Sequence, residues 1–302
     1  MLFRSMRSKY VIWFAGGDRR QQYAAARLAQ RLEAEVHVLG VLPEHRKVSG
    51  VLWCPEGVPA APCDLLVLPI PASADGETVA APLGPSPIPL AQLAAGTKSG
   101  ALVLGGKCSP AVRTQFGAQQ VEDYLDREEL CLANAVPTAE GAIQTAMEQM
   151  PTTLHGGSAL VVGYGRIGMA LAPRLRALGM EVTVCARRCE SRALAEMHGC
   201  RAVPPEELGA AAAQCNLVYN TVPALLLEEP VLRRMPPESL IVDLASRPGG
   251  TDFAAARRLG IPALLALALP AKVAPATAGE IIADTICNIL KERGFAHERS
   301  DR

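Results

Sequence analysis

The stretch SALVVGYGRIGMALAPRLRALGMEVTVCARR, Ser158 to Arg188, fixes the architecture. A short apolar run ends in Gly163, Gly165 and Gly168 at the G-x-G-x-x-G spacing, and a second apolar run follows the intervening helical pattern. A buried strand, a tight glycine turn, an amphipathic helix and a parallel strand give that order. The motif stands in the context its mechanism requires, after a strand and opening a helix. Gly163 permits the tight turn, Gly165 lets the backbone approach a pyrophosphate, and Gly168 permits close helix–strand packing. Tyr164, Arg166 and Ile167 belong to the same phosphate-facing turn, where the helix N-terminus offers amide donors and positive potential. The competing reading is a tight turn that binds nothing.

Towards the N-terminus an earlier stretch repeats the pattern: KYVIWFAGGDRRQQYAAARLAQRLEAEVHVLGV, from Lys9 to Val41. Two such units half a chain apart predict an α/β protein of two doubly wound, parallel-sheet, Rossmann-like domains with a cleft between them. The expected boundaries are 1–136 for a flavodoxin- or Rossmann-like substrate domain and 137–280 for the nucleotide domain. A C-terminal helix at 281–302 is expected to pack back towards the first domain. Further strands are expected at CDLLVLPI, GALVLGG, NLVYNTVP, SLIVDLAS and PALLALAL, and helices at SPAVRTQFGAQ, TAEGAIQTAMEQM and PPEELGAAAAQ. The proline-rich segment after Ile70 reads as a loop that includes a hairpin or a surface excursion.

Composition narrows the function classes. The 302 residues carry 30 Lys plus Arg against 30 Asp plus Glu, so no basic footprint for nucleic acid or membrane exists. Aromatics at 4% leave no base-stacking platform. No apolar run approaches the length of a spanning helix, and the apolar N-terminal run is broken by Gly16, Gly17 and Asp18, which argues against a signal peptide. Nine scattered cysteines without a C-x-x-C pair fit a reducing cytoplasm, with no metal site expected.

The end of the second strand bears on the cofactor. NAD sites place Asp or Glu there on the ribose 2′-hydroxyl; here Ala186 holds that position, followed by Arg187 and Arg188. Arginine can pair with a 2′-phosphate, so NADP is expected over NAD, with NAD still possible. Two solvated surface arginines are the alternative.

Ligands bind open α/β sheets beyond the carboxyl ends of the strands. Asn220, Thr221, Val222 and Pro223 follow one such strand, and Ala245, Ser246 and Arg247 follow the next. All are expected to face the cofactor crevice, with Arg247 held by Pro248, Gly249 and Gly250. Asp18 and Arg19 end the first strand of the other domain, and Lys272 is a further basic candidate. Basic groups on two walls suit a substrate with more than one carboxylate. Asp18 also reads as an ordinary helix N-cap, Arg247 and Lys272 also read as surface charges, and Asp243 is expected to orient its turn. No histidine falls in the last strand–loop region, which argues against alcohol–ketone chemistry with a His–carboxylate pair.

The pieces GGDRRQ, NAVPTAEGAIQTAM, HGGSALVVGYGRIGMALA, NTVP, DLASRPGGTDF and LPAKVAPATAGEI, in that order along nearly the whole chain, resemble the family of dipicolinate synthase A subunits. The resemblance implies oxidation of dihydrodipicolinate to dipicolinate with a nicotinamide cofactor, in the cytoplasm of the mother cell of a spore-forming bacterium. It implies the flavoprotein-like B subunit of dipicolinate synthase as partner, hence a homo- or hetero-oligomeric assembly, and an architecture related to D-2-hydroxyacid and alanine dehydrogenases. The loop AAPLGPSPIPLAQLAAG and the cysteine of GGKCSP match nothing in the family. Another NAD(P)-dependent hydroxy- or amino-acid dehydrogenase, and a non-catalytic nucleotide-binding protein, are the competing functions.

Overall fold

The computed structural model describes residues 10–55, 57–117 and 119–295. The opening residues 1–9 of the run weighed as a signal peptide, and the end of the expected C-terminal segment after Phe295, lie outside the described residues. The chain forms two compact units, one ending at Cys131 and resuming at Pro275, the other running Leu132–Ala274.

The first unit contains strands β1 (Tyr10–Ala15), β2 (Ala34–Leu39), β3 (Leu52–Cys54), β4 (Cys63–Val67), β5 (Thr78–Val79), β6 (Ile88–Pro89), β7 (Thr97–Gly105) and β8 (Gln120–Asp123). Its helices are α1 (Arg19–Arg31), α2 (Leu90–Ala95), α3 (Pro110–Phe116) and the start of α4 (Glu128–Gln149). Six strands form one sheet in the order β3-β2-β1-β4-β7-β8, all parallel, and β5 and β6 pair antiparallel within the proline-rich segment, the hairpin of the two alternatives weighed for it.

The second unit contains β9 (Ser158–Val162), β10 (Glu181–Cys185), β11 (Arg201–Val203), β12 (Leu217–Asn220), β13 (Leu240–Asp243) and β14 (Ala263–Leu265). Its helices are the rest of α4, α5 (Arg166–Ala177), α6 (Cys189–Met197), α7 (Leu208–Ala212), α8 (Glu229–Leu232), α9 (Phe253–Leu259) and α10 (Leu269–Val273). The sheet order is β11-β10-β9-β12-β13-β14, again all parallel. Both orders reverse direction beside their first strand, the doubly wound arrangement in which a ligand crevice opens at the reversal. The central strands are apolar on both faces because helices cover both: Val161 packs into one core and Val162 into the other.

Five elements depart from the sequence reading. The helix expected at TAEGAIQTAMEQM starts ten residues earlier, at Glu128, and carries Pro137 inside it. Proline there forfeits one helical hydrogen bond; Thr138 Oγ1 donates to the Asn134 carbonyl in the same turn. The strand expected at PALLALAL stops at Leu265, and α10 follows with Pro270 in its first turn, where a missing amide is tolerated. The edge strands β3, β8 and β11 were not expected: β3 and β11 are three residues long, and β8, QVED, carries no apolar run. The units part at 131/132 and 274/275 rather than at 136/137 and 280/281.

The last helix, α11 (Pro275–Glu292), belongs to the first unit. Its Ile282, Ala283, Ile286, Ile289 and Leu290 share a core with Ala24, Ala25 and Leu28 of α1. Gly279 makes the approach possible, since a Cβ there would stand 2.6 Å from the Arg20 carbonyl oxygen. Among the described residues no helix is long and apolar enough to cross a membrane.

Candidate active site

The glycine turn forms as its spacing requires. Gly163 adopts φ +94°, and a Cβ on it would collide with Thr221 Oγ1. Gly168 lies so close to the Gly163 carbonyl that it too admits no side chain. Gly165 differs: nothing stands within 4 Å of a Cβ placed there. It caps α5 with no side chain over the helix mouth, leaving first-turn amides to meet an anion.

A cavity of about 810 Å³ opens beside this turn, between the ends of β9, β10 and β12. Gly163, Tyr164, Gly165, Ala186, Arg187, Arg188, Thr221, Val222 and Pro223 all contribute to its wall. Its size suits a dinucleotide portion, and its open floor at Gly165 suits a pyrophosphate. Arg166, Ile167, Gly168, Asn220, Ala245, Ser246 and Arg247 do not line it. The residues therefore fit a nicotinamide dinucleotide at the turn and at the β10 end.

At that end no acid follows the strand. Ala186 is buried, while Arg187 and Arg188 are exposed on the cavity wall. Arg188 lies 3.5 Å from Glu190; Arg187 makes no ion pair among the described residues. The loop is shaped by Arg192, whose Nη1 donates to the carbonyls of Ala186 (2.9 Å) and Arg187 (2.8 Å). The sequence reading passed over Arg192, because a single arginine inside a helix carries no local signal. It also passed over Ser191, Glu206 and Arg234, which reach the cavity only through the fold. Burial pushes the Cys185 thiol up to about 11, so this wall residue stays neutral.

Register places Asn220 beside Asp243 at the sheet's carboxyl edge. Asp243 is fully buried and its carboxylate accepts four hydrogen bonds. Asn220 Nδ2 and the Ala245 amide each donate at 3.0 Å, the Gly250 amide at 2.8 Å and Thr251 Oγ1 at 2.7 Å. Asp243 thus orients the turn, as expected. Asn220 lies wholly inside, bonded to both polar groups of Val222, and shapes the following loop. The two loops are sewn together where the amides of Leu226 and Leu227 donate to the Gly250 carbonyl. Arg247, with a cis bond to Pro248, stands exposed on this rigid turn and has no ion pair among the described residues. Lys272 is exposed on α10.

In the first unit Asp18 is the N-cap of α1 and also holds Arg20, not Arg19. Arg20 Nε and Nη2 reach its carboxylate at 2.9 and 2.8 Å, and Arg20 is buried whereas Arg19 is exposed. Two adjacent arginines cannot be told apart from the string GGDRR; helix geometry turns one inward.

Comparison with known proteins agrees with this division. Residues 11–123 match the N-terminal domain of the dipicolinate synthase A subunit, and residues 132–252 match the NAD binding domain of D-isomer specific 2-hydroxyacid dehydrogenases. The A subunit of dipicolinate synthase from Bacillus subtilis is 33% identical over 281 residues, covering 92% of this chain and 94% of its own. The crystal structure of the same subunit from Bacillus halodurans superposes with a TM-score of 0.84 at 30% identity, covering 93% of this chain and 97% of that one. A shorter match, 41% identical over 103 residues, joins 32% of this chain to 37% of shikimate dehydrogenase (NADP(+)) from Thermus thermophilus. A relative this similar along nearly its whole length, with a dehydrogenase-type dinucleotide site in the second unit, places the chain: it belongs to the family of dipicolinate synthase A subunits.

Proposed function

We propose that this protein oxidises dihydrodipicolinate to dipicolinate, with NADP as the hydride acceptor. The observation that carries the reading is the near full-length relationship to the dipicolinate synthase A subunit. Bound in the second unit, the cofactor would supply a nicotinamide ring that accepts a hydride.

The chain's own residues hold and orient. The open floor at Gly165 and the first-turn amides of α5 receive the pyrophosphate. Arg187 takes a 2′-phosphate, because Ala186 offers no carboxylate to repel it and no ion pair among the described residues competes for its guanidinium. Arg188 adds charge on the same wall, and the name of the Thermus relative is in line with that choice of cofactor. Arg247 receives a substrate carboxylate on a turn made rigid by Asp243. Arg19 and Lys272 contribute further positive charge for a dicarboxylate. Losing a hydride and a proton leaves an aromatic pyridine, so aromatisation drives the reaction and a strong general base is dispensable. The work of the protein is then positioning. We further propose the flavoprotein-like B subunit as partner and the mother-cell cytoplasm as the setting.

Supplying the protein with enzymatically made dihydrodipicolinate tests the reading. Reduced cofactor should accumulate with NADP, and more slowly with NAD. Absence of turnover with either cofactor, the B subunit included, would overturn it.

A further inference from the structure

Gln21, in the first turn of α1, is 2% exposed, yet neither its Nε2 nor its Oε1 has a hydrogen-bond partner among the described residues. A buried amide left unpaired is destabilising and rare in folded proteins. Its neighbour shows what a structural glutamine does here: Gln22 Nε2 donates to the His45 carbonyl at 3.2 Å and its Oε1 accepts from the Lys47 amide at 2.9 Å, clipping a loop to the helix.

The position of Gln21 gives its unpaired amide a meaning. Gly17 follows β1 and Pro69 follows β4, and the sheet order reverses between these two strands. The side chain of Gln21 packs against this point together with Pro69, because a Cβ on Gly17 would stand 2.7 Å from Gln21 Cγ and 2.6 Å from Pro69 Cβ. Gly17, at φ +75°, leaves no room for a side chain there, so the turn packs directly on Gln21 and Pro69. The crevice at such a reversal is where open α/β sheets take their ligands. Arg20 beside it cannot swing: Asp18 grips its Nε and Nη2, and Nη2 also donates to the Ile70 carbonyl at 3.3 Å. Its Nη1 makes no hydrogen bond among the described residues.

We propose that Gln21, backed by the immobilised Arg20, is a substrate-binding residue of this unit, donating through Nε2 to a carboxylate of a compact pyridine-type dicarboxylate. Arg19, exposed on the same helix, adds charge, and its two inward-facing neighbours supply the directed contacts. The inference rests on the dihydrodipicolinate reading. A ligand that pairs the amide removes the cost of its burial, so affinity and stability should respond in opposite directions when the amide is deleted.

The test uses the full chain, dipicolinate as probe, and calorimetric titration beside a melting curve. Gln21→Leu should melt no lower than the parent, bind NADPH within about twofold of it, and bind dipicolinate at least about tenfold more weakly. Gln21→Glu, which sets a negative charge against a dianion, should bind dipicolinate more weakly still, and it serves where the leucine variant fails to fold. Parental dipicolinate affinity in a folded variant, or a lowered melting temperature with affinity unchanged, would overturn the assignment and leave Gln21 a structural residue. A parent protein that binds NADPH but not dipicolinate would overturn the dicarboxylate reading and this inference together.

Discussion

Arg187 and Arg247 are both exposed, and each stands on a turn held by a neighbour: Arg192 braces the first and Asp243 the second. A guanidinium on a braced turn loses little freedom when it pairs, which favours tight, directional binding. Arg187→Ala should therefore weaken NADPH about ten- to hundredfold, as expected for a charge-assisted contact of roughly 1.5–3 kcal/mol, while NADH binding changes little. Fluorescence titration of the two cofactors checks this, and equal losses would remove the 2′-phosphate from the account. Arg247→Lys keeps the charge but loses the planar fork. It should depress kcat/KM for dihydrodipicolinate with NADPH affinity within about twofold and the melting temperature unchanged. A lower melting temperature with normal kinetics would make Arg247 structural.

The elements were legible in the sequence where burial on two faces imposes an apolar run. β1, β4, β9, β12 and β13 are such strands, and their order with the helices announced both doubly wound sheets. The edge strands β8 and β11 were not legible, since QVED and RAV pair on one side only and carry no such pattern. The glycine turn was legible because close approach forbids a side chain at Gly163 and Gly168, whereas Arg20, Gln21 and Arg192 were hidden because only folding sets which way they point. The glycines of the two loops make separable predictions. Gly165→Ala meets nothing within 4 Å, so its melting temperature should match the parent while NADPH affinity falls at least about tenfold. Gly250→Ala would place a Cβ 2.5 Å from the carbonyl oxygens of Val222 and Ala224, backbone that cannot yield cheaply. Its melting temperature should fall by about 4–8 °C, the equivalent of about 2 kcal/mol. Thermal scans with and without NADPH separate the two cases.

Along its full length, the chain returns at its end to the unit in which it began. α11 packs on α1, and Arg127 Nη1, just before α4, reaches Glu292 at 2.7 Å. The hydrogen bond from Arg127 holds the Glu292 carboxyl below its ordinary value. A depressed carboxyl contributes stability above its unfolded value, near about 4.3, and loses it as pH falls through the folded value. The pair is exposed, so the effect is small, but its sign is fixed: between about pH 5 and 3 the parent should lose melting temperature more steeply than Arg127→Ala. Parallel curves would mean that the clip contributes nothing. Above all, the proposed function requires direct transfer of hydride from the substrate ring to NADP. Dihydrodipicolinate deuterated at the carbon that gives up the hydride, with mass spectrometry of the recovered cofactor, tests that transfer. Direct transfer predicts one deuterium in each NADPH, formed one for one with dipicolinate; dipicolinate appearing beside unlabelled cofactor would contradict it.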